Sequence, residues 1–329
     1  MTLTGFVLLY IAATIAIGVI AATRVKNTSD FALAGRSLPL PMVITATFAT
    51  WFGSETILGL PGRFIESGIA GVIEEPFGSG MALILVGTFF AHKLYKQNIL
   101  TLGDYYRDRY GRSVELLCSV AIVISYLGWV GAQVTALGLV INLITEGAVS
   151  MTTGMVIGAA VVLAYTMVGG MWSVAMTDFV QMIVIVVGLV AILWFATDLA
   201  GGMDKVVDYA RGRDLFHAFP EPTTTGWLFW ISAAMTMMIG SIPQQDVFQR
   251  VMSAKNLPTA VAGPILGGSF YILFAFVPMF IVVAAILVMP DAAEKMLSED
   301  PQQLLPTLVR DYMPMWLRVV FFGAVLSAV

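Results

Sequence analysis

Apolar runs of about twenty residues recur along the whole chain, separated by short polar stretches. A bilayer core takes about 20 apolar residues of helix. Windows of that size fall at about 3–23, 41–61, 71–91, 113–143, 152–168, 174–197, 225–243 and 259–289, with a ninth opening near residue 315. Two of them, 113–143 and 259–289, exceed a bilayer's thickness, which implies tilt or extension beyond the membrane. The alternating segments of about ten residues that build a membrane β-barrel are not seen. The pattern predicts an all-α polytopic membrane protein. Composition agrees: 58% of the 329 residues are hydrophobic, 12% are charged and the mean hydropathy is +0.88, outside the range of an ordinary soluble domain. The first run, from Leu3 to Thr23, lacks a basic start and a small-residue cleavage site, so it reads as a retained helix rather than a signal peptide.

Charge in the loops predicts orientation. The first, third, fifth and seventh loops carry Arg24, Lys26, Arg36, Lys93, Lys96, Arg107, Arg109, Arg112, Arg250 and Lys255. The opposite side holds Arg63, Lys205, Arg211, Arg213, Lys295 and Arg310, mostly in loops rich in acid. The first side is therefore expected in the cytoplasm, with the N-terminus extracellular or periplasmic and the protein in the plasma membrane. The net charge of -4 gives no basic surface for nucleic acid. Cys118 is the single cysteine, so no intrachain disulfide forms. His92 and His217 fall on different sides, which excludes a metal pair, and no catalytic triad, phosphate loop or enzymatic cofactor motif is visible. Function is expected within the membrane, and not as an enzyme.

Polar residues interrupt the apolar windows at particular places. Within ATWFGSETILGLPG, residues 49–62, Gly53, Ser54, Glu55 and Thr56 mark either a small-residue helix contact or an unwound helix. An unwound helix frees carbonyls for a cation and points half-helix ends at a solute. A second interruption runs from Gly240 through Ser241, Pro243, Gln244 and Gln245 to Asp246, where Pro243 removes a backbone donor. The two interrupted windows run in opposite directions five helices apart, as an inverted repeat would place them. In GGMWSVAMTDFVQ, residues 169–181, Asp178 and Gln181 share a helix face beside Thr177. Asp178 either answers the positive end of its helix or serves a site. Trp51 and Trp129 lie within spans, where a Trp face either packs or holds an ammonium cation. Glu74 and Glu75 are placed near the end of the third window, in water or at a vestibule.

These segments together resemble the sodium:solute symporters. The likeness is carried by FALAGRSLPLP at 31–41, the ATWFGSETILGLPG break, LGDYYRDRYG at 102–111, the GGMWSVAMTDFVQ block and PQQDVFQRVMSAKN at 243–256, in family order. It implies a LeuT-type fold: an extra N-terminal helix in 1–25, a first five-helix repeat over 40–198, an extracellular loop at 199–224 and an incomplete second repeat over 225–329. It also implies sodium as coupling ion and import of a small organic solute by alternating access. Sodium would lie on the backbone carbonyls of Ala49, Phe52 and Ala328, with Thr177, Asp178 and Gln181 serving the coupling. Hydroxyls expected after Ala328 would fall past Val329, so the chain is read as a C-terminally truncated fragment. The choline-transporter branch is nearest, through ATW at 49–51 and IPxxxxFQRV at 242–251. Trp51 and Trp129 match two walls of its ammonium cage, while Gln244 stands where that branch has a third Trp. The solute set is Trp51, Ser54, Glu55, Ser79, Trp129, Gln133, Gln244 and Gln245. Partners are that solute, sodium and the lipid bilayer. A transporter-like sensor domain and a non-functional truncated copy are the alternative readings.

Overall fold

The computed structural model describes residues 3–328, less the side chains of residues 165, 168, 327 and 328. The described residues are almost wholly helical, with one isolated parallel bridge between Leu38 and Ala254. The chain opens with α1 (Leu3–Ala22) and α2 (Leu40–Trp51). Wide turns at Glu55–Gly59 then lead into α3 (Leu60–Ser67). Next come α4 (Ile69–Tyr95), α5 (Arg112–Ile144), α6 (Met151–Ala164) and α7 (Gly169–Leu199). The second half holds α8 (Thr224–Gly240), α9 (Gln245–Met252), α10 (Leu257–Phe274), α11 (Phe276–Val288) and α12 (Met315–Ala328).

Among the described residues, α1, α4, α5, α7 and the α10–α11 pair are each long and apolar enough to cross a bilayer, and α8 with α9 makes one further crossing bent by 45°. The windows read at 152–168 and 174–197 are one helical course kinked at Gly170, whose φ of 50° and ψ of -149° only glycine adopts readily. A Cβ there would also collide with the Phe31 carbonyl. The kink changes how Asp178 is read. It lies eight residues beyond Gly170, past the first turn of α7, so the dipole at the helix start does not account for it.

Helix α10 sits between α2 and α4. Its glycines make this close approach possible: a Cβ on Gly268 would stand 2.6 Å from the Gly80 carbonyl oxygen of α4, and one on Gly267 3.1 Å from the Ile44 carbonyl oxygen of α2. Small residues let helix backbones meet where lipid supplies no hydrophobic drive between them. On the outside of this bundle, α1 packs along α7 and α12, and the Ser173 hydroxyl donates to the Gly18 carbonyl at 2.5 Å.

One backbone link joins the two halves. Leu38 donates to the Ser253 carbonyl at 3.0 Å and accepts from Lys255 N–H at 3.0 Å, fastening the start of α2 to the end of α9. Beside it the Arg36 guanidinium lies 4.0 Å from the Tyr95 ring centre, and the Tyr95 hydroxyl donates to the Ala254 carbonyl at 2.8 Å. Gly170→Ala is expected to lower the thermal melting temperature in detergent, since a forced positive φ costs about 1–3 kcal/mol. An unchanged melting temperature would show that the kink carries no such strain.

Candidate functional site

The first break is a defined turn. Phe52 has φ -82° and ψ 72°, and Gly53 N–H donates back to the Trp51 carbonyl at 2.9 Å, which together make an inverse γ-turn. In a continuing helix that N–H would serve the Ala49 carbonyl. The turn therefore takes the helical donor away from the Ala49 carbonyl. An aromatic cluster holds the turn in place: the Phe52 ring stacks on Phe48 at 4.8 Å and meets Phe274 at 5.3 Å and Tyr271 at 6.2 Å. Beyond the turn, the Ser54 hydroxyl donates to Gln133 Oε1 at 2.6 Å, tying the break to α5.

The second break, at Ser241–Gln244, is pinned by Tyr126 of α5. Its hydroxyl donates to Asp246 Oδ1 at 2.7 Å and accepts the Asp246 N–H at 3.2 Å. Two cavities flank this crossing. One, of about 240 Å3, is lined by Ala49, Thr50, Gly53, Tyr126, Trp129, Gln133, Thr177, Asp178, Gln181, Asp246 and Arg250. The other, of about 250 Å3, is bounded by Thr50, Trp51, Glu55, Glu74, Glu75, Tyr126, Trp129, Gln244 and Asp246. Thr50, Tyr126, Trp129 and Asp246 form their common wall.

The residues expected at the site thus divide between two chambers. Ala49, Gln133, Thr177, Asp178 and Gln181 meet in the first, Trp51, Glu55 and Gln244 in the second, and Trp129 faces both. Phe52 is buried among aromatic rings at the turn itself. Ser54 borders a third cavity with Glu55, Arg63 and Asp300. Ser79 is buried and lines neither chamber, its hydroxyl 3.5 Å from the Glu74 carbonyl. Gln245 points away, accepting the Leu102 N–H at 2.9 Å. Ala328 closes α12, the helix that reaches the break through Ile57. Its side chain lies outside the described ones.

Several wall residues were not anticipated from sequence. Tyr126 and Arg250 are two of these; each is a single polar position in an apolar or loop segment, and neither carries a spacing signal. Of the two expectations for Glu75, water or a vestibule, the structure rules out the first: it borders the second chamber but is buried. It is 7% exposed and accepts hydrogen bonds from the Tyr271 hydroxyl and from Thr56 Oγ1, the latter at 3.1 Å. Glu74, by contrast, stays half-exposed and pairs with Arg63 at 2.5 Å, while Arg63 also approaches Glu55 at 3.7 Å. Trp51 Nε1 and Arg250 Nε are buried without a hydrogen-bond partner, one beside each chamber.

Two broken helices that line one chamber, in an all-helical bundle with several helices long enough to cross a bilayer, make this a LeuT-like membrane fold. The sodium:solute symporter family model matches residues 31–329, and the chain belongs to that family. It is 28% identical over 334 residues to the high affinity choline transporter 1 of Homo sapiens, covering 95% of this chain and 56% of that one. Against the high-affinity choline transporter 1 of Caenorhabditis elegans it is 28% identical over 317 residues, 92% and 53% of the two chains. Sodium/glucose cotransporter 4 of Danio rerio is 26% identical over 362 residues, 98% of this chain and 54% of its own. The chain therefore spans about half the length of these relatives. A solved structure of a Na+-coupled sialic acid symporter, in a substrate-bound outward-open state, superposes with a TM-score of 0.84 at 18% identity, over 100% of this chain and 69% of that one. These relatives are named as transporters, and this chain is a multi-pass membrane member of their family.

Thr56→Val keeps the shape and removes a hydroxyl that reaches the Trp51 carbonyl at 2.9 Å and Glu75 at 3.1 Å. Leaving buried acceptors unpaired is expected to cost about 1–3 kcal/mol. Thermal unfolding in detergent measures it, and equal stability would show that the hydroxyl is not needed there.

Proposed function

We propose that this protein is a sodium-coupled symporter that carries a small, positively charged organic solute across the plasma membrane by alternating access. The observation that carries the reading is the second chamber. Trp51, Tyr126 and Trp129 supply aromatic faces, and Glu55, Glu74, Glu75 and Asp246 supply four carboxyl groups, with the Arg63 guanidinium beside Glu55 and Glu74 and the Arg250 guanidinium reaching the Asp246 carbonyl from the first chamber. Aromatic faces attract ammonium cations, and the acidic walls raise their local concentration.

The relatives named for choline support a quaternary or protonated amine as the solute class. Gln244 and Asp246, which line the wall where the choline branch has its third Trp, favour a solute that also offers hydrogen-bond donors. Sodium is assigned to the first break, with the Ala49 and Phe52 carbonyls as ligands and Ala328 as the third. Asp178, with Thr177 and Gln181 in the same chamber, is assigned to coupling. The basic loops around Arg24, Arg36 and Lys255 are assigned to the cytoplasm, and the N-terminus to the outside.

Proteoliposomes carrying the purified protein are expected to accumulate choline or a related amine only under an inward sodium gradient. Equal uptake with potassium replacing sodium on both sides would sink the coupling. Trp129→Ala is expected to weaken uptake affinity about tenfold, equivalent to about 1.4 kcal/mol of lost cation–π attraction, with a smaller effect on any neutral solute. Concentration dependence of uptake for a charged and an uncharged solute separates the two.

A further inference from the structure

A separate cavity, of about 480 Å3, opens where the last residues of α5 meet the start of α12. Its size is that of a small-molecule site, about 300–1,000 Å3. Its charged lining is Glu146, Arg310, Asp311 and Arg318, two guanidiniums and two carboxylates that sum to zero. Arg310 closes a two-point ion pair with its neighbour Asp311, Nε to Oδ1 at 2.7 Å and Nη2 to Oδ2 at 2.9 Å. That leaves one charge of each sign. Among the described residues, the Glu146 carboxylate has no ion pair or hydrogen-bond partner. Arg318 gives Nε to the Met313 carbonyl at 2.6 Å, and its Nη1 and Nη2 have no partner among the same residues.

Neither free charge is explained by the local fold. Glu146 has a φ of 52°, a left-handed position that Gly, Asn or Asp fills more readily. The turn around it closes without its side chain: Gly147 N–H donates to the Asn142 carbonyl at 2.9 Å, and Asn142 Nδ2 donates to the Val149 carbonyl at 2.8 Å. Arg318 lies in the first turn of α12, where the helix dipole disfavours a cation. The cavity also lies at a membrane surface. Helix α5 is long and apolar enough to span, and it turns back within residues 145–150 into α6. Aromatic side chains mark the same level: Tyr312, Trp316 and Trp194 are all largely exposed, and the Phe195 ring joins the two tryptophans at 6.3 Å and 5.1 Å. Exposed Trp and Tyr near helix ends form the belt that sits among lipid headgroups.

We propose that this cavity binds the headgroup of a zwitterionic phospholipid that carries a primary amine, the phosphatidylethanolamine class. Arg318 takes the phosphate through Nη1 and Nη2, a charge-assisted contact for which the guanidinium fork is shaped. Glu146 accepts from the ammonium group, which brings three N–H donors as a lysine does. The closed Arg310–Asp311 pair adds no net charge. A purely anionic headgroup would meet the Glu146 carboxylate with nothing to offer it, and a choline headgroup has no N–H to donate. The bound headgroup bridges the α5–α6 turn to α12. It thereby ties the helix that carries Tyr126 and Trp129 to the helix that reaches the first break.

Thermal unfolding of the purified full chain, delipidated in detergent, provides the test. Added phosphatidylethanolamine is expected to raise the melting temperature by about 3 °C, and equal amounts of phosphatidylglycerol or phosphatidylcholine by less. In Glu146→Gln, an exposed position, the preference for phosphatidylethanolamine over phosphatidylglycerol is expected to vanish. Arg318→Gln is expected to lose the response to phosphatidylethanolamine. Should Arg318→Gln fail to fold, Glu146→Gln decides alone. Soluble phosphoethanolamine at the same concentration separates a lipid from a free phosphoester: no shift is expected from it, and a shift equal to that of the lipid overturns the lipid assignment. Equal shifts from all three lipids in the native protein, or an unchanged preference in Glu146→Gln, overturn the site itself.

Discussion

Backbone at membrane depth has no water to satisfy it, and every departure from helix needs a replacement partner. The first break meets this demand within a few residues. Gly53 N–H turns back to the Trp51 carbonyl, the Thr56 hydroxyl covers that same carbonyl, and the Ser54 hydroxyl reaches Gln133. One result is a carbonyl at Ala49 relieved of its helical donor. The rest of the site is arranged around this local solution. Phe48, Phe52, Tyr271 and Phe274 lock the turn against α10, and α10 can come so near because glycines line its contacts with α2 and α4.

Tyr126 plays the matching part at the second break. A single hydroxyl serves both the carboxylate and the backbone N–H of Asp246, so α5 fixes the start of α9 at two points. Because Tyr126 and Trp129 lie one turn apart on α5, the same face that pins the break also separates the two chambers. Position and chemistry are thus coupled there. Moving α5 would disturb the walls of both chambers and the angle of α9 together.

Much of this was legible in the residues. Apolar windows located the helices, though the window at 41–61 is split into α2 and α3 and those at 152–168 and 174–197 form one kinked course, and the clusters Gly53–Thr56 and Gly240–Asp246 marked both breaks, because glycine, proline and polar side chains are conspicuous among leucines and valines. The family motifs then set the order of helices. What was not legible depended on direction. The turn is centred on Phe52, a residue with no turn preference, and its geometry follows from ring packing with residues about 220 positions later in the chain. Glu74 and Glu75 are adjacent and identical in type, yet one pairs with Arg63 near water and the other is buried against Tyr271. Local composition cannot separate two such neighbours. The α4 backbone, wound unevenly across Ile73–Gly78, turns them to different sides.

The backbone link at Leu38 has a mechanical meaning. Its two hydrogen bonds to the Ser253–Lys255 segment fasten the start of one broken helix to the end of the other. From that pin to the turn at Phe52, α2 runs twelve residues, about 18 Å at 1.5 Å of rise per residue. A small rotation of one helix pair about the pin therefore becomes a displacement that grows with distance along α2. At 18 Å, each 5° of tilt moves the turn by about 1.6 Å, about half the length of a hydrogen bond. The fastened end stays nearly still while the chamber end is the long arm of a lever.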